Sequence, residues 1–253
     1  MSNVRSPYVQ TLPFGNSFDD IEKGKVASEF ADSIIRQGFV RKVFGLLGAQ
    51  LLVTVLIGAT ILGSPTIKSA VLGNGAFLLL AFALSIVPLL YLAISEKARH
   101  QFPLNLILMA IFTIGEGVLV SACTARYNTD IVILALGITA AVTVSLCAYA
   151  LTTKHDFTSM GSYLYAALLS LFVAGLVGYI LHTPLLTLAI STGGAALFSM
   201  YIVYDVQMLM GGQHQYKVTP DEYVFAAINI YLDIINLFLY ILRILNEMKG
   251  DRN

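Results

Sequence analysis

The stretch AINIYLDIINLFLYILRIL, residues 227–245, decides how this chain folds. Asn229, Asp233, Asn236, Tyr240 and Arg243 follow one another at intervals of four, three, four and three residues. That spacing puts all five on one face of an α-helix. The opposite face is Ile, Leu and Phe. A polar stripe along a membrane-length apolar helix cannot face lipid without unsatisfied donors and acceptors, so it must face other helices or water. The segment is therefore expected at the centre of a helical bundle.

The rest of the chain supplies that bundle. Of 253 residues, 57% are hydrophobic and 12% charged, and the mean hydropathy is +0.77. A soluble domain carries about a quarter charged residues, so these values indicate a multi-span membrane protein. A span needs about 20 apolar residues, and seven segments qualify: 43–62, 75–95, 103–123, 130–151, 161–181, 186–210 and 223–245. They are too long for barrel strands. The expected fold is an all-α seven-helix transmembrane bundle with a central C-terminal helix. Its domain plan is a cytosolic, mostly disordered tail over 1–40, a membrane domain over 41–248 and a short tail over 249–253. Residues 28–42 have the pattern of a short amphipathic surface helix as an alternative to a disordered leader. No cleavable signal peptide is visible in the polar first forty residues.

Positive charge orients the spans. With the N-terminus in the cytosol, that side holds Arg5, Lys23, Lys25, Arg36, Arg41, Lys42, Lys97, Arg99, Lys154 and Lys217, against Lys68 and Arg126 on the other. Seven crossings put Lys249 and Arg252 outside, against the rule, which leaves a re-entrant seventh segment open. Zero formal net charge leaves no basic excess for nucleic acid. Cys123 and Cys147 have no metal-ligand spacing and read as small buried apolar side chains. Gly45 and Gly48, Gly115 and Gly117, Gly175 and Gly178, and the small residues over 191–196 mark places where helices can approach closely.

Three acids lie at membrane depth: Glu116, Asp205 and Asp233. Each costs about 3 kcal/mol there on insertion scales, so a functional role is the default expectation. Asp205 follows Tyr204 directly and Tyr201 by four residues, so a phenol can reach its carboxylate. Asn105 and Glu116 are eleven residues apart, close to three full turns, and share a face. Arg243 is the one basic residue well inside an apolar run, or snorkels to the interface.

Residues 220–227 (PDEYVFAA), 231–239 (YLDIINLFL) and Leu242-Arg243 resemble the signature of the transmembrane Bax-inhibitor-motif family. Tyr201-Ile202-Val203-Tyr204-Asp205, Phe102-Pro103-Leu104-Asn105 with Glu116, and Phe39-Val40-Arg41-Lys42-Val43 resemble its Lifeguard branch, especially the Golgi-type members. The resemblance implies six helices around a central seventh. It also implies a pH-tuned calcium leak or exchange in Golgi or endoplasmic reticulum membranes, and suppression of cell death through lower stored calcium. Asp205 and Asp233 match that family's di-aspartyl pH sensor. Ca²⁺ and protons are then the ions handled, with apoptosis-regulating or calcium-channel membrane proteins as partners and no cofactor. The chain departs from the pattern in extra residues around Gly211-Gly212-Gln213-His214-Gln215, and in a second span without an acidic or basic residue, for which Glu116 is the candidate substitute.

Two carboxylates close together in low dielectric cannot both ionise cheaply and hold one proton between them. Its loss gives repulsion, or a hard oxygen site for Ca²⁺. The expected gate is Asp205–Asp233, also the possible Ca²⁺ ligands, with Glu116, Asn229 and Asn236 along the ion path and Asn105, Tyr201, Tyr204 and Arg243 in support. An enzyme is not expected. An intramembrane aspartyl protease uses Tyr-Asp on one span, which Tyr204-Asp205 fits, but needs Gly-x-Gly-Asp on the next, where this chain has Ile230-Tyr231-Leu232-Asp233. His100, His155, His182 and His214 fall in loops or at segment ends, against a serine protease. No lysine lies between Lys217 and Lys249, against a retinal protein. A ligand receptor and a non-conducting anti-apoptotic scaffold stay open.

Overall fold

A computed structural model describes residues 18–181, 183–211 and 218–250, with side chains from residue 34 onward. Among them are nine α-helices and no strand. Helix α1 (Phe18–Gly63) runs unbroken for 46 residues. No proline lies between Pro13 and Pro65, and Glu22, Lys23, Lys25, Ala27, Glu29 and Ala31 are strong helix formers. Residues 18–40, expected within a mostly disordered tail, are therefore helical and continuous with the first span, and the helix anticipated over 28–42 is part of it. Residues 1–17 and 251–253 of the expected tails lie outside the described residues.

Short helices α2 (Pro65–Gly73) and α4 (Glu96–His100) frame the second span, α3 (Gly75–Ile94). Each starts on a polar cap: Ser64 Oγ accepts from Ile67 N–H, Asn74 Oδ1 from Phe77 N–H, and Ser95 Oγ from Ala98 N–H. The remaining spans are α5 (Leu104–Thr124), α6 (Thr129–Thr152), α7 (Gly161–Leu181), α8 (Pro184–Met210) and α9 (Tyr223–Gly250). With residues 34–63 of α1 and with α3, they make seven helices long and apolar enough to cross a membrane. All seven expected segments are therefore present, shifted by a few residues at their ends. Helix α9 is one continuous helix of 28 residues, about 42 Å at 1.5 Å per residue. That exceeds the roughly 30 Å of a hydrocarbon core, so α9 has the length and continuity of a span and no re-entrant turn.

Alternation of the spans gathers the start of α5, the 153–160 loop and the 218–222 segment at one end of the bundle, the near end. There Arg36 donates to Leu209 O at 3.3 Å and Val218 O at 2.7 Å. Arg99 pairs with Glu222 at 2.8 Å and donates to Leu92 O and Ala93 O, closing the C-terminus of α3. The Lys42 ammonium lies 3.9 Å from the centre of the Tyr223 ring. Three cations, two from α1 and one from α4, thus secure the entry to α9.

Helix α9 packs on α8 most extensively, then on α1 and α6, with a smaller contact to α5. Ile228, Ile230, Tyr231, Ile235, Leu237 and Leu242 are buried around its circumference, which is the expected central position. Helix α7 is the opposite case: Leu164 is its one buried residue, while Phe172, Val173 and Tyr179 point outward. Lipid tails are as apolar as leucine, so such a helix loses nothing by facing them. Cys123, expected inside, is exposed for the same reason, and Cys147 is half-buried.

Two glycines set close approaches. A Cβ at Gly115 of α5 would lie 2.6 Å from Ser85 N and 2.7 Å from Ala81 O of α3. At Gly194 of α8 it would lie 2.6 Å from the Tyr240 ring of α9. Gly45, Gly48 and Gly175 have nothing within 4 Å, so only part of the small-residue pattern is spent on helix contacts.

Candidate functional site

Asp205 lies near the end of α8, and Asp233 lies ten residues into α9. Counting from the shared link puts Asp233 about two turns deeper, yet the two carboxyl groups lie side by side, close enough to interact directly. The link over 211–222 is too long to act as a tight hairpin, so the helix ends need not be level. Val218 N–H donates to Met208 O at 3.0 Å, so the chain runs back along α8 before α9 begins. Gly212, Gln213, His214 and Gln215, the extra link residues, lie outside the described residues, as do Lys217 and His182.

Asp233 is 6% exposed, and its Oδ2 has no hydrogen-bond partner; Asp205 is half-buried. Two carboxyl oxygens bond to each other only through a proton, because an ionised carboxylate has acceptors alone. A hydrogen bond between Asp205 and Asp233 therefore requires a proton on one of them.

Aromatic rings surround the pair on one side. Tyr201 is within electrostatic reach of both acids, of Tyr204 and of Tyr165 on α7. No hydrogen bond joins Tyr201 to either carboxyl group among the described residues; its ring lies tilted against Phe198 at 5.9 Å and edge-on to Tyr204 at 6.4 Å. Phe198 also stacks on Tyr240 at 5.8 Å. Tyr204 sets its hydroxyl against Gly161 at the start of α7.

Gln207, two residues beyond Asp205, has no place in the sequence reading. It is fully buried, donates from Nε2 to His155 O at 2.8 Å and accepts from Phe157 N–H at 2.7 Å. This paired contact fastens the 153–160 loop to α8 a half-turn from Asp205. Its one sequence signal is a carboxamide beside an acid at a segment end, which also describes an ordinary interfacial residue.

The stripe on α9 keeps its single face, but its members differ in what they touch. Asn236 Nδ2 donates to Leu232 O of its own helix at 2.8 Å. Asn229 is half-buried and makes no hydrogen bond. Arg243 is exposed and lies ten residues beyond Asp233, near the far end, so it does not join the acids.

Glu116 does not join them either. Ser85 Oγ of α3 donates to Glu116 at 2.6 Å. Nearby, Tyr231 and Thr54 share a hydrogen bond at 2.8 Å, Thr54 Oγ1 donates to Gln50 O, and Gln50 Nε2 donates to Thr113 Oγ1 at 3.1 Å. Glu116 is within electrostatic reach of Tyr231. Tyr231 and Asp233 are two residues apart, or about 200° around the helix axis. The structure thus divides the expected site: the aspartate pair faces α8, and Glu116 belongs to a second polar cluster on the opposite side of α9. Asn105 lies apart from both. It is fully buried and donates to Arg99 O at 3.0 Å and towards the Tyr223 hydroxyl at 3.5 Å, tying the start of α5 to the near end.

Among the described residues no group of three or more His, Cys, Asp or Glu is arranged to hold a metal ion. Ca²⁺ takes six to eight oxygen ligands, and two carboxyl groups supply too few for a resident ion. The pair is suited to a proton and to transient contact with a passing cation.

A family model described as inhibitor of apoptosis-promoting Bax1 matches residues 36–250. Protein lifeguard 4 of Mus musculus is 37% identical over 231 residues, covering 91% of this chain and 93% of its own. The Golgi anti-apoptotic protein of Vaccinia virus (strain Lister) is 35% identical over 227 residues, covering 90% and 92%. The protein of the same name from strain LC16m0 matches with the same figures.

Proposed function

The chain belongs to the family of inhibitors of apoptosis-promoting Bax1, and on that premise we propose that it is a pH-sensitive calcium leak of Golgi or endoplasmic reticulum membranes, gated by Asp205 and Asp233. The N-terminus faces the cytosol. By draining stored calcium, the protein suppresses cell death, in keeping with the name of the viral relatives. The observation that carries this reading is the side-by-side placement of two acids, one of them buried, on neighbouring membrane helices.

A proton shared between the two acids locks α8 to α9. As pH rises the proton leaves, and two like charges face each other in a medium that screens them poorly. The helices then part and expose hard carboxylate oxygens that attract Ca²⁺. Proton and calcium compete for the same oxygens, so the balance of two packings follows pH. Leak increases with pH by this mechanism. Asn229 and Asn236 line the face of α9 that the separation uncovers, and Tyr201 and Tyr204 support the ring wall beside it. Glu116, on the other side of α9, is outside this path.

Purified full-length protein in calcium-loaded liposomes provides the test. Calcium release above that of empty liposomes supports the leak. No release at any pH leaves a non-conducting scaffold that acts through apoptosis-regulating membrane partners.

A further inference from the structure

Where the far ends of α7, α8 and α9 meet, a cavity of about 540 Å³ opens between them. Gly175 and Gly178 of α7, Thr187 and Ile190 of α8, and Arg243 and Glu247 of α9 line it. A cation and an anion therefore face one space, and among the described residues neither side chain forms a hydrogen bond or an ion pair. Gly175 has nothing within 4 Å of where a Cβ would be, so the α7 wall stays open for a chain to lie along it. The wall residues of α7 beyond the cavity, among them Phe172 and Val173, already face lipid.

Depth is the second argument. Arg243 lies twenty residues past Tyr223, about 30 Å along α9, which is one hydrocarbon thickness. The charged end of the cavity is therefore level with the phospholipid headgroups of the far leaflet, and its Gly175 end is level with the acyl chains. We propose that this cavity is a binding site for a zwitterionic phospholipid carrying phosphoethanolamine. The guanidinium of Arg243 takes the phosphate, the carboxylate of Glu247 takes the ammonium, and an acyl chain runs over Gly175, past Gly178, whose face Ile190 covers. Spacing of four residues on one helix face sets the two Cβ atoms about 6 Å apart, so one zwitterionic headgroup can reach both side chains. An anionic headgroup without an amine would meet Glu247 as a like charge. The site is independent of the aspartate pair, about 15 Å away along α9.

Native mass spectrometry of the purified full-length protein tests this. The protein is mixed with equal amounts of phosphatidylethanolamine and phosphatidylglycerol bearing identical acyl chains. Wild type is expected to retain phosphatidylethanolamine roughly tenfold over phosphatidylglycerol, the scale of one charge-assisted contact. Arg243→Ala loses retention of both lipids. Glu247→Gln retains both equally, and Gly175→Leu, which fills the groove without touching either charge, retains neither. Soluble glycerophosphoethanolamine displaces the lipid from wild type, which tests the headgroup contact without any variant. Equal retention of the two lipids by wild type overturns the proposal. So does a preference that survives Arg243→Ala and Glu247→Gln, because the lipid is then annular only.

Discussion

The two sides of α9 carry similar polar groups and finish them differently. Towards α1, α3 and α5, Tyr231 closes a chain of hydroxyl and amide groups through Thr54, Gln50 and Thr113, and Glu116 is held by Ser85. Towards α8, Asp233 lies against Asp205, and its Oδ2 is buried with no hydrogen-bond partner among the described residues. A buried acid held by a hydroxyl is a neutral or singly charged group with one stable arrangement. A pair of acids has two arrangements, with and without the proton, and the second is repulsive. A polar cluster with one arrangement thus stands opposite a pair of acids that, on the proposed function, changes its arrangement with pH.

The substitution with the largest expected effect on stability breaks the fixed side. Gly115→Val drives a side chain into the backbone of α3 at Ser85 and Ala81. It is expected to cost about 3 kcal/mol, seen as a lower unfolding midpoint in detergent. The pH dependence of the leak is expected to survive in whatever protein folds. On the switching side, Gln207→Ala removes both bonds to the 153–160 loop and strands His155 O and Phe157 N–H. About 2 kcal/mol is expected, with faster amide exchange confined to that loop. The smallest effect comes from Glu116→Gln. The amide oxygen still accepts from Ser85, so stability changes by less than about 0.5 kcal/mol and the leak keeps its pH profile. A flattened profile in Glu116→Gln would return Glu116 to the ion path and dissolve the contrast between the two sides.

The spans were readable because long apolar runs admit few folds, and the central place of α9 followed from a stripe that lipid cannot satisfy. Periodicity, however, names a face and not the neighbour that the face meets. Asp233 and Glu116 each lie on a polar face, and only three-dimensional packing places them on opposite sides of α9. The same ambiguity hid Gln207, whose partners are backbone atoms fifty residues away. Cys123 was misplaced because apolar residues are equally suited to the core and to the lipid surface. The helical start of α1 was missed because polar composition was given more weight than the absence of proline. Arg36 shows a further limit: it counts as one positive charge in the orientation rule, while its structural task is to bind the carbonyls at the end of α8.

The most direct measurement is calcium release from liposomes between about pH 5 and about pH 8, with wild type beside Asp205→Asn and Asp233→Asn. An asparagine cannot lose a proton in this range and cannot repel its neighbour. Wild-type leak is expected to rise with pH, and both variants are expected to release calcium at a rate that pH no longer changes. Variant curves that follow wild type at every pH would contradict the account, because the proton between Asp205 and Asp233 would then not control the helices it joins.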